Sequence, residues 1–142
     1  QRRLFGRLLV DGFKTMTQPM TAASGVILFA HGSRDPLWRL PIDAVAERIR
    51  AKQAGLPVAV AFLELTEPDL PSTVEVLMKH DVTHVRIVPM FLGVGRHARE
   101  DLPELVHRLT QAYPQMSFEL LPTIGEHPAM TALMADIAAG TA

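Results

Sequence analysis

The stretch that decides the fold is "GVILFAHGSRDP", residues 25 to 36, in which a short apolar run leads directly into a histidine, a glycine and several polar groups. Such a run, ended abruptly by polar residues, is typical of a buried strand in a parallel sheet. Similar runs follow along the chain: PVAVAFLEL at 57–65, HVRIVPMFL at 84–92 and MSFELLP at 116–122. The sequence therefore predicts four buried strands.

Segments with helical spacing separate or follow these runs. Apolar residues recur every three or four positions in four segments: Ile42, Val45, Ala46 and Ile49; Val74, Leu77 and Met78; Leu102, Leu105, Val106 and Leu109; Met130, Leu133, Met134 and Ile137. We expect Glu100 and Asp101 in the first turn of the third helix and Arg108 in its last turn, as the helix dipole prefers. Alternating strands and helices predict an α/β fold, a single-domain doubly wound four-stranded parallel sheet with helices on both faces.

The composition narrows the function. The chain has 142 residues, 48% hydrophobic and 20% charged, which is enough for one domain with a real core. The net charge of -1 argues against a nucleic-acid partner, so local arginines would have to bind any acidic ligand. The absence of cysteine excludes disulfides and thiolate metal ligands and fits a cytoplasmic protein. No apolar stretch approaches the about 20 residues that cross a bilayer, so we expect no membrane partner.

Residues 1–24 differ in character from the rest of the chain. They combine several basic residues with a single acidic one, Asp11, and end in a stretch rich in Thr, Pro and Ser. The segment 4–9 would place its leucines and Phe5 on one helical face, so a targeting peptide or a membrane-surface helix is an alternative. We interpret residues 1–24 as an N-terminal extension, with a natural start near Met16 or Met20, and residues 25–142 as the domain.

Potential ligands follow three of the predicted strands. His31 ends the first strand, Glu64 the second, and His97 follows the third. In a 2-1-3-4 strand order the first strand lies between the other two, and parallel sheets bind ligands beyond the carboxyl ends of their strands. Two imidazoles and a carboxylate suit a first-row divalent ion, and the same groups accept protons near neutral pH. The pattern predicts a metal-binding, proton-accepting site.

Each of these residues also has an ordinary structural interpretation. A histidine at a strand end is often a hydrogen-bonded loop residue, and Glu64 could cap the following helix or pair with an arginine. The remaining histidines are interpreted as capping or solvated residues (His80, His84 and His107) or as a weak candidate at the same edge (His127). No phosphate-binding glycine motif, thiol nucleophile or serine elbow is present.

Three segments resemble one specific family: FAHGSRDP at 29–36, AFLE at 61–64 and VPMFLGVGRHAREDLP at 88–103. They are similar to the small class II chelatases of the CbiX type, the sirohydrochlorin cobaltochelatases and ferrochelatases. The resemblance implies a lyase that inserts Co²⁺ or Fe²⁺, with Ni²⁺ as a third candidate, into sirohydrochlorin during cobalamin or sirohaem biosynthesis. The metal is then a substrate, with no permanently bound cofactor. The family's two metal-site histidines fall on His31 and His97, and its acidic partner falls on Glu64.

The resemblance also implies how substrate is held and how the chain assembles. Phe91 and Leu92 would pack on the face of the macrocycle, and Arg34, Arg96 and Arg99 would bind its carboxylates. Chelatases of this class often have two similar α/β halves around the substrate cleft, and this chain has no internal repeat of HGSR or GRH. It would supply one half, so we expect a homodimer or a divergent stand-alone domain.

Two other interpretations stay open. A non-catalytic metal-binding or tetrapyrrole-binding module of the chelatase fold would use the same histidines. A flavodoxin-like nucleotide or signalling domain would share the α/β pattern, but the missing phosphate loop counts against it.

Overall fold

The computed structural model describes residues 3–5, 8–10 and 23–142. Its strands are β1 Arg3–Phe5, β2 Leu8–Val10, β3 Ser24–Ala30, β4 Val58–Phe62, β5 His84–Pro89 and β6 Ser117–Leu120. Its helices are α1 Leu40–Lys52, α2 Leu70–Lys79, α3 Arg96–Ala112 and α4 Pro128–Ala139, with a 3₁₀ turn at Ile124–Glu126. No helix in the described ranges has both the length and the apolar character needed to cross a bilayer.

The strands form one sheet in the order β1-β2-β6-β5-β3-β4. The four strands β4, β3, β5 and β6 are parallel, which confirms the predicted four-stranded sheet and its 2-1-3-4 order. β3 is buried along its whole length, from Ser24 to Ala30, because it has a parallel neighbour on each side. The run GVILFA is therefore the centre of the fold, and His31 is the first residue beyond it.

Two short strands extend the sheet beyond the predicted four. β1 and β2 are antiparallel, and β2 runs parallel to β6 with Leu8 opposite Phe118. The alternative of a helical face over residues 4–9 is thus wrong for the described residues, because 3–5 and 8–10 form strands. Met16 and Met20 lie outside the described residues, and the boundary between extension and domain stays a prediction.

Helices cover both faces of the sheet, as predicted. On one face α2 and α3 pack against β3 and β5, with Leu77, Val106 and Ile27 in one continuous core. On the other face α1 contributes Ala46 to a second core with Leu28 and other residues of β3 and β4. Because side chains alternate along a strand, β3, β4 and β5 each contribute residues to both cores.

α3 begins earlier than the sequence predicts. Its N-cap is Gly95, and its first turn contains no acidic residue and its last turn no basic residue. The expected placement of Glu100 and Asp101 in the first turn and of Arg108 in the last turn is therefore wrong. The early start has a functional consequence, because it puts His97 on the helix itself.

A polar cluster lies on the sheet, at the opposite end of the strands from His31. Arg86 of β5 pairs with Glu119 of β6, and their side chains are only 14% and 3% exposed. His84 shares a hydrogen bond with the Ser117 hydroxyl, with Nδ1 and Oγ 2.8 Å apart. Burial lowers the pKa of His84, an effect that Glu119 opposes and Arg86 reinforces. His84 is thus a structural residue of the sheet.

α4 differs from the other helices because none of its residues is buried. Leu133 and Ile137 are 49% and 63% exposed although the helix is apolar. Its first turn is capped by His127, whose Nδ1 accepts a hydrogen bond from Ala129 N at 2.9 Å. His127 is therefore a capping residue, and α4 presents an uncovered apolar surface.

Candidate metal-binding site

His31 and Glu64 lie side by side at the carboxyl ends of β3 and β4. The imidazole Nε2 is 3.0 Å from the Glu64 carboxylate, and the two side chains are 53% and 55% exposed. Parallel pairing of the two strands brings these residues together, although 33 positions separate them in the sequence. The structure thus places two of the three predicted groups, His31 and Glu64, close together as expected.

The backbone fixes this pair. Beyond the strands, Leu63 N donates to Ala30 O at 2.9 Å and Glu64 N donates to His31 O at 3.0 Å. Thr66 N then donates to Glu64 O at 2.8 Å, closing a three-residue turn around Leu65, whose φ is 67°. Left-handed backbone in a leucine is uncommon and needs support from its surroundings. These bonds hold Glu64 against His31 instead of leaving it on a free loop.

Gly32 allows this close approach. Its φ is +104°, and a Cβ at this position would lie 1.8 Å from the Glu64 carbonyl oxygen. Both the backbone conformation and the contact therefore require glycine. A side chain at residue 32 would push apart the two loops that carry His31 and Glu64.

We expect Gly32→Ala to lower the free energy of unfolding by about 1 to 3 kcal/mol from strain and to weaken metal binding by the same displacement. Gly55→Ala is the matched control, because Gly55 also has a positive φ, +99°, but a Cβ there meets no atom within 4 Å. Urea unfolding and Co²⁺ titration of both variants measure the difference. Equal Co²⁺ affinities in the two variants would contradict this account.

His97 faces the same space as His31. Both side chains line a cavity of about 620 Å³ between the strand ends and α3. Glu64 is not among the lining residues, and in the described part of the chain no three His, Asp or Glu side chains are close enough to hold one ion together. The predicted trio is therefore arranged as the His31–Glu64 pair and a separate His97 on the helix.

The cavity is apolar on the strand-end side and charged along α3. Phe91 lines it, whereas Leu92 is 71% exposed and is not among the lining residues. The helical wall carries polar residues that the sequence interpretation missed: Asp101, Glu104 and Arg108. The sequence could have indicated these residues, because they lie four, seven and eleven positions after His97 and this spacing keeps them on one face of a helix.

The three predicted arginines do not line this cavity. Arg34 is exposed in the loop after β3. Arg96 is exposed and lies 3.3 Å from Glu100, while Arg99 lines a separate cavity of about 210 Å³. The arginine that does line the large cavity is Arg108, which lies 3.3 Å from Glu104. Contact of the predicted arginines with a ligand stays a prediction.

The loop after His31 is anchored by ring contacts. The Arg39 guanidinium lies 4.8 Å from the centroid of the Phe62 ring, and the Trp38 ring is 6.3 Å from it. Because Phe62 is the buried last residue of β4, this loop rests on the sheet. Exposed apolar side chains surround this edge, and we call them the apolar rim: Leu37, Leu40, Leu63, Leu65 and Leu92.

The loop after β5 is braced by the chain that leads into α4. Thr123 Oγ1 donates to Phe91 O at 2.7 Å, and Gly125 N donates to the same oxygen at 3.0 Å. A Cβ at Gly125 would lie 1.8 Å from Leu92 O. The wall that contains Phe91 is thus in direct backbone contact with the 3₁₀ turn.

A sequence model of the CbiX family matches residues 25–140. Because this match covers most of the chain, the chain belongs to the CbiX family.

Curated relatives of the chain include sirohydrochlorin cobaltochelatases and ferrochelatases. The chain is 34% identical over 82 residues to the sirohydrochlorin cobaltochelatase of Methanothermobacter thermautotrophicus, a match covering 58% of this chain and 57% of the relative. It is 32% identical over 101 residues to the sirohydrochlorin ferrochelatase of Bacillus subtilis, covering 70% of this chain and 38% of that enzyme. The matched segment thus spans little more than half of the archaeal relative and less than half of the bacterial one.

Solved structures confirm the fold. A putative cobalamin biosynthesis CbiX protein from Marinobacter aquaeolei superposes with a TM-score of 0.72 at 32% identity, over 82% of this chain and 95% of that one. The sirohydrochlorin chelatase SirB from Bacillus subtilis subspecies spizizenii, solved with cobalt, gives 0.64 at 29% identity, over 81% of this chain and 51% of SirB.

Proposed function

We propose that this protein inserts Co²⁺ or Fe²⁺ into sirohydrochlorin on the route to cobalamin or sirohaem. The observation that carries the proposal is the His31–Glu64 pair, 3.0 Å apart, at a cavity that His97 also lines. The names of the relatives support the substrate, and the cobalt complex of SirB supports the metal. Ni²⁺ is a further candidate because imidazole ligands also suit it.

The reaction needs two operations that these side chains supply. The ion must be presented to the ring nitrogens, and two pyrrole N–H groups must each give up a proton as the metal–nitrogen bonds form. Imidazole lone pairs at His31 and His97 bind either a metal ion or a proton, so each ring releases the ion before it accepts a proton. The Glu64 carboxylate beside His31 stabilises the positive charge that the imidazole acquires.

The cavity suits part of a flat macrocycle. Its volume of about 620 Å³ lies within the usual range for small-molecule sites, and its apolar wall includes Phe91. The residues that line the cavity do not include Leu92, Arg34 or Arg96. These three can contact the substrate only if its ring extends beyond the cavity. In that position the arginines would meet the peripheral carboxylates of the ring.

We also propose that the active unit is a homodimer. The chain aligns with 51% of SirB, so two copies supply the length of one such enzyme. The apolar rim and α4 provide exposed apolar surface of the kind that subunit interfaces cover. The cytoplasmic location expected from the composition stays a prediction.

An absorption assay tests the proposed activity. Purified protein is mixed with sirohydrochlorin and Co²⁺ or Fe²⁺, and we expect the spectrum of the macrocycle to change faster than in a reaction without protein. Denatured protein at the same concentration is the control for adventitious metal. Binding of both substrates without any acceleration would instead identify a non-catalytic module of the chelatase fold.

A further inference from the structure

We propose that Leu65 is a substrate-contact residue, whose apolar side chain packs against the edge of the macrocycle beside the His31–Glu64 pair. The inference rests on the proposed function, which supplies the macrocycle. Leu65 belongs to neither hydrophobic core and is not among the residues that line the cavity, so the fold and the metal chemistry leave its side chain without a task.

The backbone of Leu65 adopts a conformation that leucine disfavours. Its φ is 67°, in the left-handed region. In the described part of the chain, the other positions with positive φ carry residue types that tolerate it: Gly32, Gly55, Gly140 and Asp81. Glycine or asparagine at residue 65 would give the same turn with less strain. Because strained residues of this kind cluster at ligand sites, the choice of leucine here points to a use for its side chain.

The turn that carries Glu64 does not depend on the leucine side chain. It is closed by the backbone bond from Thr66 N to Glu64 O, at 2.8 Å, and it is fixed to the neighbouring loop by the bond from Glu64 N to His31 O. Neither bond involves a side chain. Leu65 is 49% exposed, so burial within the domain offsets only part of its strain. The remaining apolar surface is available to a ligand.

The position of Leu65 suits contact with a ring. It directly follows Glu64, with Cα atoms about 3.8 Å apart, and the Glu64 carboxylate is 3.0 Å from His31. Leu63, two residues earlier, lines the cavity, and both leucines belong to the apolar rim. A macrocycle that takes an ion from this pair must bring its ring carbons to this edge. A leucine there removes ring surface from water and offers no atom that would compete for the ion.

Binding of sirohydrochlorin in the absence of metal tests the contact. We expect Leu65→Asn to raise the Kd for sirohydrochlorin about tenfold, the lower end of what an apolar contact contributes in a binding pocket. Leu65→Gly should have the same effect, whereas Leu65→Met keeps an apolar side chain of similar volume and should restore most of the affinity. Absorption titration of the full chain measures all three variants.

Two further measurements separate substrate contact from structural support. The urea midpoint of Leu65→Asn should stay the same or rise, because asparagine tolerates positive φ better than leucine does. Its Co²⁺ affinity should equal that of the unsubstituted chain, since the turn that holds Glu64 is kept. Asp81→Asn is the control for the backbone, because Asp81 has a φ of 63° and precedes β5, at the opposite end of the strands from His31. It should bind sirohydrochlorin normally.

Unchanged sirohydrochlorin affinity in Leu65→Asn and Leu65→Gly would overturn the contact and leave the proposed function standing. A lower urea midpoint or a weaker Co²⁺ affinity in both variants would also overturn it, because Leu65 would then only support the turn. A dimer that becomes a monomer in sedimentation would assign Leu65 to a subunit interface instead. Failure of the unsubstituted chain to bind sirohydrochlorin would refute the proposed function and the contact together.

Discussion

Replacement of both His31 and His97 by alanine is expected to reduce metal insertion to the rate seen without protein. Each single replacement should slow the reaction at least about 100-fold, the lower range for loss of a positioned proton acceptor. The effect is large because each imidazole is given two tasks, holding the ion and accepting a pyrrole proton. The double variant removes both tasks from the cavity at once.

The measurement is the initial rate of the change in sirohydrochlorin absorption at saturating Co²⁺. His80→Ala is the matched control, because His80 lies at the end of α2 with its Nδ1 2.8 Å from Val76 O, outside the cavity lining. It should insert metal at the normal rate. If the double histidine variant is as fast as the unsubstituted chain, the mechanism proposed for the site is wrong.

Glu119→Ala should lower the free energy of unfolding by about 3 to 5 kcal/mol. The substitution leaves the Arg86 guanidinium, only 14% exposed, without the carboxylate that faces it. The main cost is that a largely desolvated guanidinium loses the opposite charge of Glu119, and the strand register that pairs the two residues prevents an easy rearrangement. An effect of this size is a large fraction of the stability of a domain this small.

Urea unfolding measures the change, with Glu47→Ala as control. Glu47 pairs with Arg50 on the exposed surface of α1, so its loss should cost about 1 kcal/mol or less. A similar small cost for Glu119→Ala would show that the buried pair contributes no more than a surface pair. The folded fraction of Glu119→Ala should retain metal insertion, because the cluster is at the opposite end of the strands from His31.

The sequence allowed the central sheet and one half of the site to be predicted. Buried strands have nearly continuous apolar runs, and parallel strands deliver their last residues to one edge, so the proximity of His31 and Glu64 followed from strand order alone. The placement of His97 was less well predicted. The N-cap of α3 is Gly95, which has no side chain to mark the start of the helix in the sequence. An apparent loop residue was in fact helical.

The arginines show a different limit of prediction from sequence. Arg34, Arg96 and Arg99 were chosen because they are near the histidines in sequence, whereas side-chain position depends on which face of α3 a residue occupies. Arg96 is also held by Glu100, one helical turn away, a pairing that competes with any ligand. The short strands β1 and β2 escaped prediction because the residues of 4–9 fit a helical face as well as two strands.

The contact between Gly125 and the loop after β5 joins the start of α4 to the wall of the cavity. The backbone of Gly125 bears on Leu92, and α4 begins three residues later. A partner that shifted α4 would therefore displace the cavity wall that contains Phe91, because Gly125 contacts that wall and lies only three residues before the helix. Under the proposed function, the cavity would therefore offer the macrocycle a different fit when α4 is covered than when it is bare.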